Sequence, residues 1–257
     1  MHSVTILGEL KLFAQSIVYW VFAFVASSLF YFLVGPSTVT VFGKNIPIPV
    51  FTGDSFAVHF FKMMQSDFVP SEVTLIVMTP LSGFITQVEI ALVLAFITVS
   101  PYFLYRFMQY LSPALFAHER KGVSQALVLS SALFIAGCVF AYVYLIPLTF
   151  ELMYPFTTAL GVTPLFSLDA FMAWIVGIML ATGVIFLLPI FMALLSFLGV
   201  VAPDFWRRKR RHALVSLLVF SAVITPDQTG ITMVLLFVPL VLLYITGTFL
   251  ARRAARS

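Results

Sequence analysis

The feature that most constrains this chain is a set of long apolar runs carrying almost no charge. The first, "LFAQSIVYWVFAFVASSLFYFLV" (residues 12–34), holds no acidic or basic side chain. A helix needs about 20 mostly apolar residues to cross the roughly 30 Å hydrocarbon core of a bilayer. Six such runs can be drawn, at about 13–34, 84–108, 123–147, 170–198, 212–225 and 231–250. A water-soluble domain averages about a quarter charged residues, whereas this one has 9%, with 61% hydrophobic. The expectation is an all-α membrane protein, a bundle of six transmembrane helices forming one domain over residues 1–257. The first run is too long for a signal peptide and no small-residue cleavage site follows it, so it reads as an anchor.

Basic residues orient the bundle. With six spans, one side receives both termini and the second and fourth connections. These contain Lys11, Arg106, Arg120, Lys121, the run "WRRKRRH" and the tail "ARRAARS". Only Lys44 and Lys62 of the 14 basic residues fall on the other side. Lysine and arginine accumulate in cytoplasmic loops, so both termini are expected there. "WRRKRRH" reads as a topology determinant and a contact for anionic lipid heads. Nucleic acid is not indicated.

The outer segment 35–80 contains "SFAVHFFKMMQSDF", with apolar residues at helical spacing after the capping candidates Asp54 and Ser55. It predicts a short amphipathic helix in the first outer loop, stopped by Pro70. "VTLIVMTP" looks extended. The fifth run, "HALVSLLVFSAVIT", has 14 residues and reaches about 21 Å as a helix. With Pro226 and Gly230 in "TPDQTG", the fifth and sixth runs predict a short helical hairpin with a shallow outer end.

Chemistry-bearing motifs are sparse. The single Cys138 excludes an internal disulfide. His2, His59, His118 and His212 have no metal-ligand spacing. No G-x-S-x-G or H-E-x-x-H occurs, so neither an enzyme nor a cofactor or metal site is expected. A proton-coupled small-molecule transporter is the alternative. It would show inverted repeats and broken helices with polar midplane residues, and the two halves share no such pattern.

"LGELK", "SPYFLYRFMQY", "SPALFAHERKG", "LFIAGCVFAYVYLIPLTF" and "TPDQTG", in that order over nearly the whole chain, resemble the TatC family, the multispanning subunit of the twin-arginine protein translocase. The resemblance implies binding of twin-arginine signal peptides at the cytoplasmic face and export of folded proteins driven by the proton-motive force. It also implies assembly with small single-span subunits of the TatA/TatB type and with further copies of the chain, in the cytoplasmic membrane of a prokaryote. By motif, the binding glutamates are Glu119 and Glu9, in a loop supported by Pro113, Arg120 and Lys121. The chemistry agrees, because paired guanidinium groups want carboxylates that accept bidentate hydrogen bonds.

The chain departs from the family pattern at three polar positions. Leu187 stands two residues before Pro189 where the family has Glu or Gln. Ser82 replaces the glutamate of "T-P-x-E-x-F", and Ile245 replaces a sixth-span glutamate. Glu89 falls where the family has lysine and is a candidate intramembrane polar site, since a charge within a span costs about 2.5–3.5 kcal/mol. Glu151, and Asp169 as a cap of the fourth run, read as structural.

Overall fold

The computed structural model describes residues 6–41, 44–51, 54–69, 73–111, 120–161, 165–225 and 230–255. For 6–16, 37–41, 44–51, 106–111, 120–127 and 157–158 it describes the backbone alone. The chain divides into two compact units, Met1–Ser66 with Val77–Ser131, and Asp67–Ile76 with Ala132–Ser257.

The first unit is built on α1 (Ile6–Leu33) and α3 (Ser82–Leu111), with the hairpin strands β1 (Val34–Val41) and β2 (Lys44–Phe51), most of α2 (Phe56–Phe68), and the start of α4 (Arg120–Phe140). α1 and α3 run antiparallel. Trp20 lies 5.0 Å from Phe103 and Phe32 lies 5.6 Å from Phe84 between ring centroids, so the register reverses along the pair. Trp20 also stacks on Phe24 at 5.5 Å, and Phe96 meets both rings edge-on. Such ring pairs add about 0.5–1.5 kcal/mol beyond the area they bury.

The β1–β2 hairpin was not anticipated. Pro36 faces Pro49 and Pro47 faces Thr38 in its register. Three prolines in sixteen strand residues would exclude a central strand, but in a two-stranded ribbon each strand has a free edge that needs no donor. The amphipathic helix was anticipated and is present as α2. Ser55 caps it, with its Oγ accepting the Val58 N–H at 3.4 Å, and the apolar face buries Ala57, Met64 and Phe68.

In the second unit the remainder of α4 runs through a π-helical turn, Ala141–Leu145, into α5 (Ile146–Ala159). Pro147 supplies the cause. It has no N–H to return to the Val143 carbonyl and its ring crowds that turn, and the wider π turn accommodates both defects. α6 (Leu168–Phe186) and α7 (Leu188–Phe197) form one 30-residue apolar rod broken at Leu187, because Pro189 removes the helical donor there. Ser167 is the N-cap of α6, and Asp169 lies in its first turn rather than at the cap.

Two short strands, β3 (Thr74–Ile76) and β4 (Leu165–Ser167), pair in parallel. β3 is the extended stretch expected in "VTLIVMTP". α8 (Pro203–Arg208), α9 (Arg210–Ile224) and α10 (Ile231–Ala254) complete the unit. α9 has 15 residues, about 22 Å, as short as its sequence implied. Gly230, at φ +72°, begins α10 in the left-handed region that glycine enters without steric cost.

The helix contacts are close where side chains are small. A Cβ on Gly137 would lie 2.8 Å from the Thr182 carbonyl oxygen and 2.9 Å from Gly183 Cα. A Cβ on Gly183 would meet Cys138 Sγ at 2.7 Å, and one on Gly247 would meet Met192 Sδ at 2.7 Å. Crossings of small residues let backbones approach, which is how helices associate where lipid removes the hydrophobic drive. Large apolar side chains face outward on these helices, among them Val184, Val238, Leu242 and Phe249. Apolar character on every face is the mark of a membrane span. Among the described residues, Ser82–Tyr105, Val128–Phe156, Leu168–Phe197 and Ile231–Ala254 are long and apolar enough to cross a bilayer.

Candidate functional site

The antiparallel pairing of α1 and α3 brings the start of α1 and the end of α3 to the same end of the first unit. Glu9 is the fourth residue of α1, eleven residues before Trp20 and so about 17 Å along the axis. Leu111 ends α3 eight residues after Phe103, about 12 Å along the same direction. The helix carrying Glu9 and the point from which the chain enters "SPALFAHE" are therefore nearly level. Arg120 and Lys121 are the first two residues of α4. Pro113 and Glu119 lie outside the described residues, and of Glu9, Arg120 and Lys121 the backbone alone is described.

At the opposite end of α3 the polar residues are organised. Ser82, fully buried, occupies the position of the family glutamate. Its Oγ accepts the Thr79 N–H at 3.3 Å and shares a 2.8 Å hydrogen bond with Thr79 Oγ1. These bonds close the Thr79–Ser82 turn that leads into α3, with the Ser82 N–H returning to the Thr79 carbonyl at 3.1 Å. The serine at this position satisfies the Thr79 N–H without introducing a charge. One turn on, Gln87 Nε2 donates to Ser55 Oγ at 2.8 Å and ties α3 to the cap of α2. Glu89 follows, half-buried with Oε2 shielded from solvent. Ser82, Thr86 and Glu89 fall at i, i+4 and i+7, so they share one face of α3.

In the second unit Leu187 occupies the kink between α6 and α7, and Ile245 faces outward on α10. The Tyr142 hydroxyl, set by the π turn, donates to Asp67 Oδ2 at 2.5 Å while its ring packs 4.8 Å from Phe68.

Sequence reasoning missed a second polar assembly. Trp206 Nε1 donates to Ser196 Oγ at 2.9 Å, and the buried Tyr244 hydroxyl donates to the Trp206 carbonyl at 2.5 Å. Arg252 reaches Asp204 at 3.5 Å. Three bonds thus fasten α8 to the end of α7 and to the C-terminal half of α10. The pairing partners are 10, 38 and 48 residues apart, which explains why no local pattern revealed them.

Four described helices long and apolar enough to cross a bilayer define a multi-pass membrane protein. Its sequence matches the family model for the Sec-independent protein translocase protein TatC over residues 8–239, and the chain belongs to the TatC family. It is 34% identical over 206 residues to the TatC protein of Aquifex aeolicus, covering 79% of this chain and 85% of that one. To Escherichia coli TatC it is 31% identical over 72% of this chain and 70% of that one. The fold matches a crystal structure described as the twin-arginine translocase receptor TatC, with a TM-score of 0.74 and 28% identity over 96% of this chain and all of that one. The chain is accordingly a component of the Tat translocase and not an enzyme.

Proposed function

We propose that this chain is the subunit that receives twin-arginine signal peptides at the cytoplasmic face, and that Glu119 and Glu9 are the carboxylates that hold the two arginines. The observation that supports this reading is the level pairing of the start of α1 with the end of α3, because it sets the helix that carries Glu9 beside the point from which the chain enters the Glu119 segment. The peptide's guanidinium groups each offer a planar fork, and a carboxylate near the headgroups accepts it more strongly than one in bulk water. Pro113 turns the chain after α3, and Arg120 and Lys121 hold the loop at the phosphates.

The remaining assignments follow from the same reading. Six spans place both termini and the Glu119 loop in the cytoplasm of a prokaryotic cell, with the hairpin β1–β2, α2 and the β3–β4 pair outside. Small single-span subunits of the TatA/TatB type, and further copies of this chain, complete the passage for folded cargo, driven by the proton-motive force. Leu187 and Ile245 remove a polar group from two family positions, so partner contact here relies on shape at the α6–α7 kink and on Glu89.

The test is a twin-arginine signal peptide with a photoreactive residue beside the arginine pair, crosslinked to the membrane-embedded protein and mapped by peptide mass. Adducts are expected around residues 9 and 112–119, and a twin-lysine peptide is expected to give few. Adducts confined to residues 132–257 would refute the assignment.

A further inference from the structure

The run "WRRKRRH" folds into a corner. Arg207 and Arg208 end α8, Lys209 breaks the helix with φ −93° and ψ 12°, and Arg210 and Arg211 open α9. All five side chains are exposed, and among the described residues none of the five forms an ion pair. The nearby carboxylate, Asp204, is directed to Arg252 instead. Arg210 and Arg211 also stand in the first turn of α9, where the helix dipole is positive, the first turn holds no acid, and cations are unfavourable. The chain therefore maintains a concentration of positive charge that its own described residues do not offset.

A topology signal would require only the charges. This corner is also fixed in place, because the Trp206 and Tyr244 bonds and the Asp204–Arg252 pair anchor α8 on the end of α7 and the C-terminal half of α10. Beside the cations, Phe205 is 45% exposed and Val200 69% exposed, at the level where the apolar rods Leu168–Phe197 and Ile231–Ala254 terminate. Exposed apolar side chains beside arginines and a tryptophan at a span end suit the boundary between headgroups and acyl chains. They do not suit a nucleic acid held in water.

We infer that the α8–α9 corner is a binding site for an anionic phospholipid that presents two phosphates. Arg207 and Arg208 from α8 take one phosphate, Arg210 and Arg211 from α9 take the other, and Phe205 lies along the acyl chains. Arginine suits the role because its fork bonds phosphate oxygens bidentately. The break at Lys209 divides the cations into two pairs on two helices, which favours a two-phosphate ligand over a single headgroup. The Trp206 latch is the positioning element, since it converts a flexible basic loop into a site of fixed geometry.

The experiment uses the full-length protein in detergent micelles and in nanodiscs, with retained lipid read by native mass spectrometry. The probe lipids are cardiolipin with two phosphates, phosphatidylglycerol with one, and phosphatidylcholine as the zwitterionic control. Each basic residue near an anionic surface contributes about a fivefold change in affinity. One cardiolipin is expected to remain per chain, binding at least about tenfold more tightly than phosphatidylglycerol. Replacing Arg207, Arg208, Arg210 and Arg211 together by Gln is expected to lower cardiolipin affinity by about a hundredfold or more. Either pair replaced alone is expected to abolish the preference for two phosphates while leaving phosphatidylglycerol binding. Trp206→Phe keeps the ring and loses the Ser196 bond, and it is expected to weaken cardiolipin severalfold with all charges intact. Equal cardiolipin retention by the fourfold variant, in a monodisperse sample with unchanged helix content, would overturn the proposal. So would displacement of the lipid by millimolar pyrophosphate, which would indicate a free-anion site, or by a short RNA duplex, which would indicate a nucleic-acid surface.

Discussion

Replacing Gly137 by alanine adds one methyl group at a close helix crossing, and the structure sets the size of the effect. The new Cβ would sit 2.8 Å from the Thr182 carbonyl oxygen, 2.9 Å from Gly183 Cα and 2.9 Å from Phe186 Cγ. Ordinary carbon contacts lie at about 3.5–4.0 Å, so the two helices must part by about 0.7 Å or more. Two of the three obstructing atoms are backbone, so no rotamer change relieves them. Overpacking of this kind costs about 1–3 kcal/mol. The neighbourhood cannot easily yield either, because Phe134 is 2% exposed and Thr182 fully buried. For a chain of this size, 1 kcal/mol corresponds to roughly 2–4 °C in Tm, so Gly137→Ala should lower Tm by roughly 2–12 °C. Gly177, in α6, is the internal control. Nothing lies within 4 Å of its virtual Cβ, so Gly177→Ala should raise stability by about 0.4–1 kcal/mol through helix propensity alone. The assay is thermal unfolding of the detergent-solubilised protein, followed by intrinsic tryptophan fluorescence and by loss of the monodisperse size-exclusion peak. Equal melting of Gly137→Ala and Gly177→Ala would refute the close crossing.

Other outcomes follow from the same contacts. Ser82→Ala removes the acceptor for the Thr79 N–H and should cost about 0.5–1.5 kcal/mol, visible as faster hydrogen exchange at the Thr79 amide just before α3. Leu187→Ala, at a kink held by Pro189 rather than by its own side chain, should leave export of a twin-arginine reporter nearly intact, whereas Glu89→Ala should impair it. Equal tolerance of both would make Glu89 structural. Single cysteines at Ser66 and Ser257, in a Cys138→Ser background, should react with an impermeant thiol reagent in intact cells at Ser66 alone. Labelling at Ser257 would contradict the six-span topology.

Much of the helical framework was legible because a membrane leaves few choices. Backbone groups in hydrocarbon must bond within their own segment, so an apolar run of twenty residues is a helix whatever its neighbours. The shortness of α9 and the cap of α2 at Ser55 were visible for local reasons of length and side-chain chemistry. The hairpin β1–β2 was hidden by Pro36, Pro47 and Pro49, which argue against a strand unless both edges are known to be free. The π turn was equally hidden, since Pro147 announces a defect without specifying how the helix absorbs it. Ser82 read as a departure from the family, yet its bonds to Thr79 close the turn that enters α3, a role that sequence comparison at one position does not disclose. For the binding residues the sequence supplied the motif, and the register of Trp20 on Phe103 supplied the common end of α1 and α3.

The measurement that bears most directly on the central claim is the affinity of a twin-arginine signal peptide for Glu119→Ala, ranked by competition between photoreactive and unlabelled peptide on protein of verified fold. A hydrogen bond to a charged group contributes about 1.5–3 kcal/mol, and a factor of ten corresponds to about 1.4 kcal/mol. Glu119→Ala should therefore bind at least about tenfold more weakly. Glu119→Gln should be nearly as weak, because it keeps the shape and loses the charge, and Glu9→Ala should be milder. A twin-lysine peptide should bind the unaltered protein poorly and lose little more with Glu119→Ala. Undiminished twin-arginine binding by a well-folded Glu119→Ala variant would contradict the account.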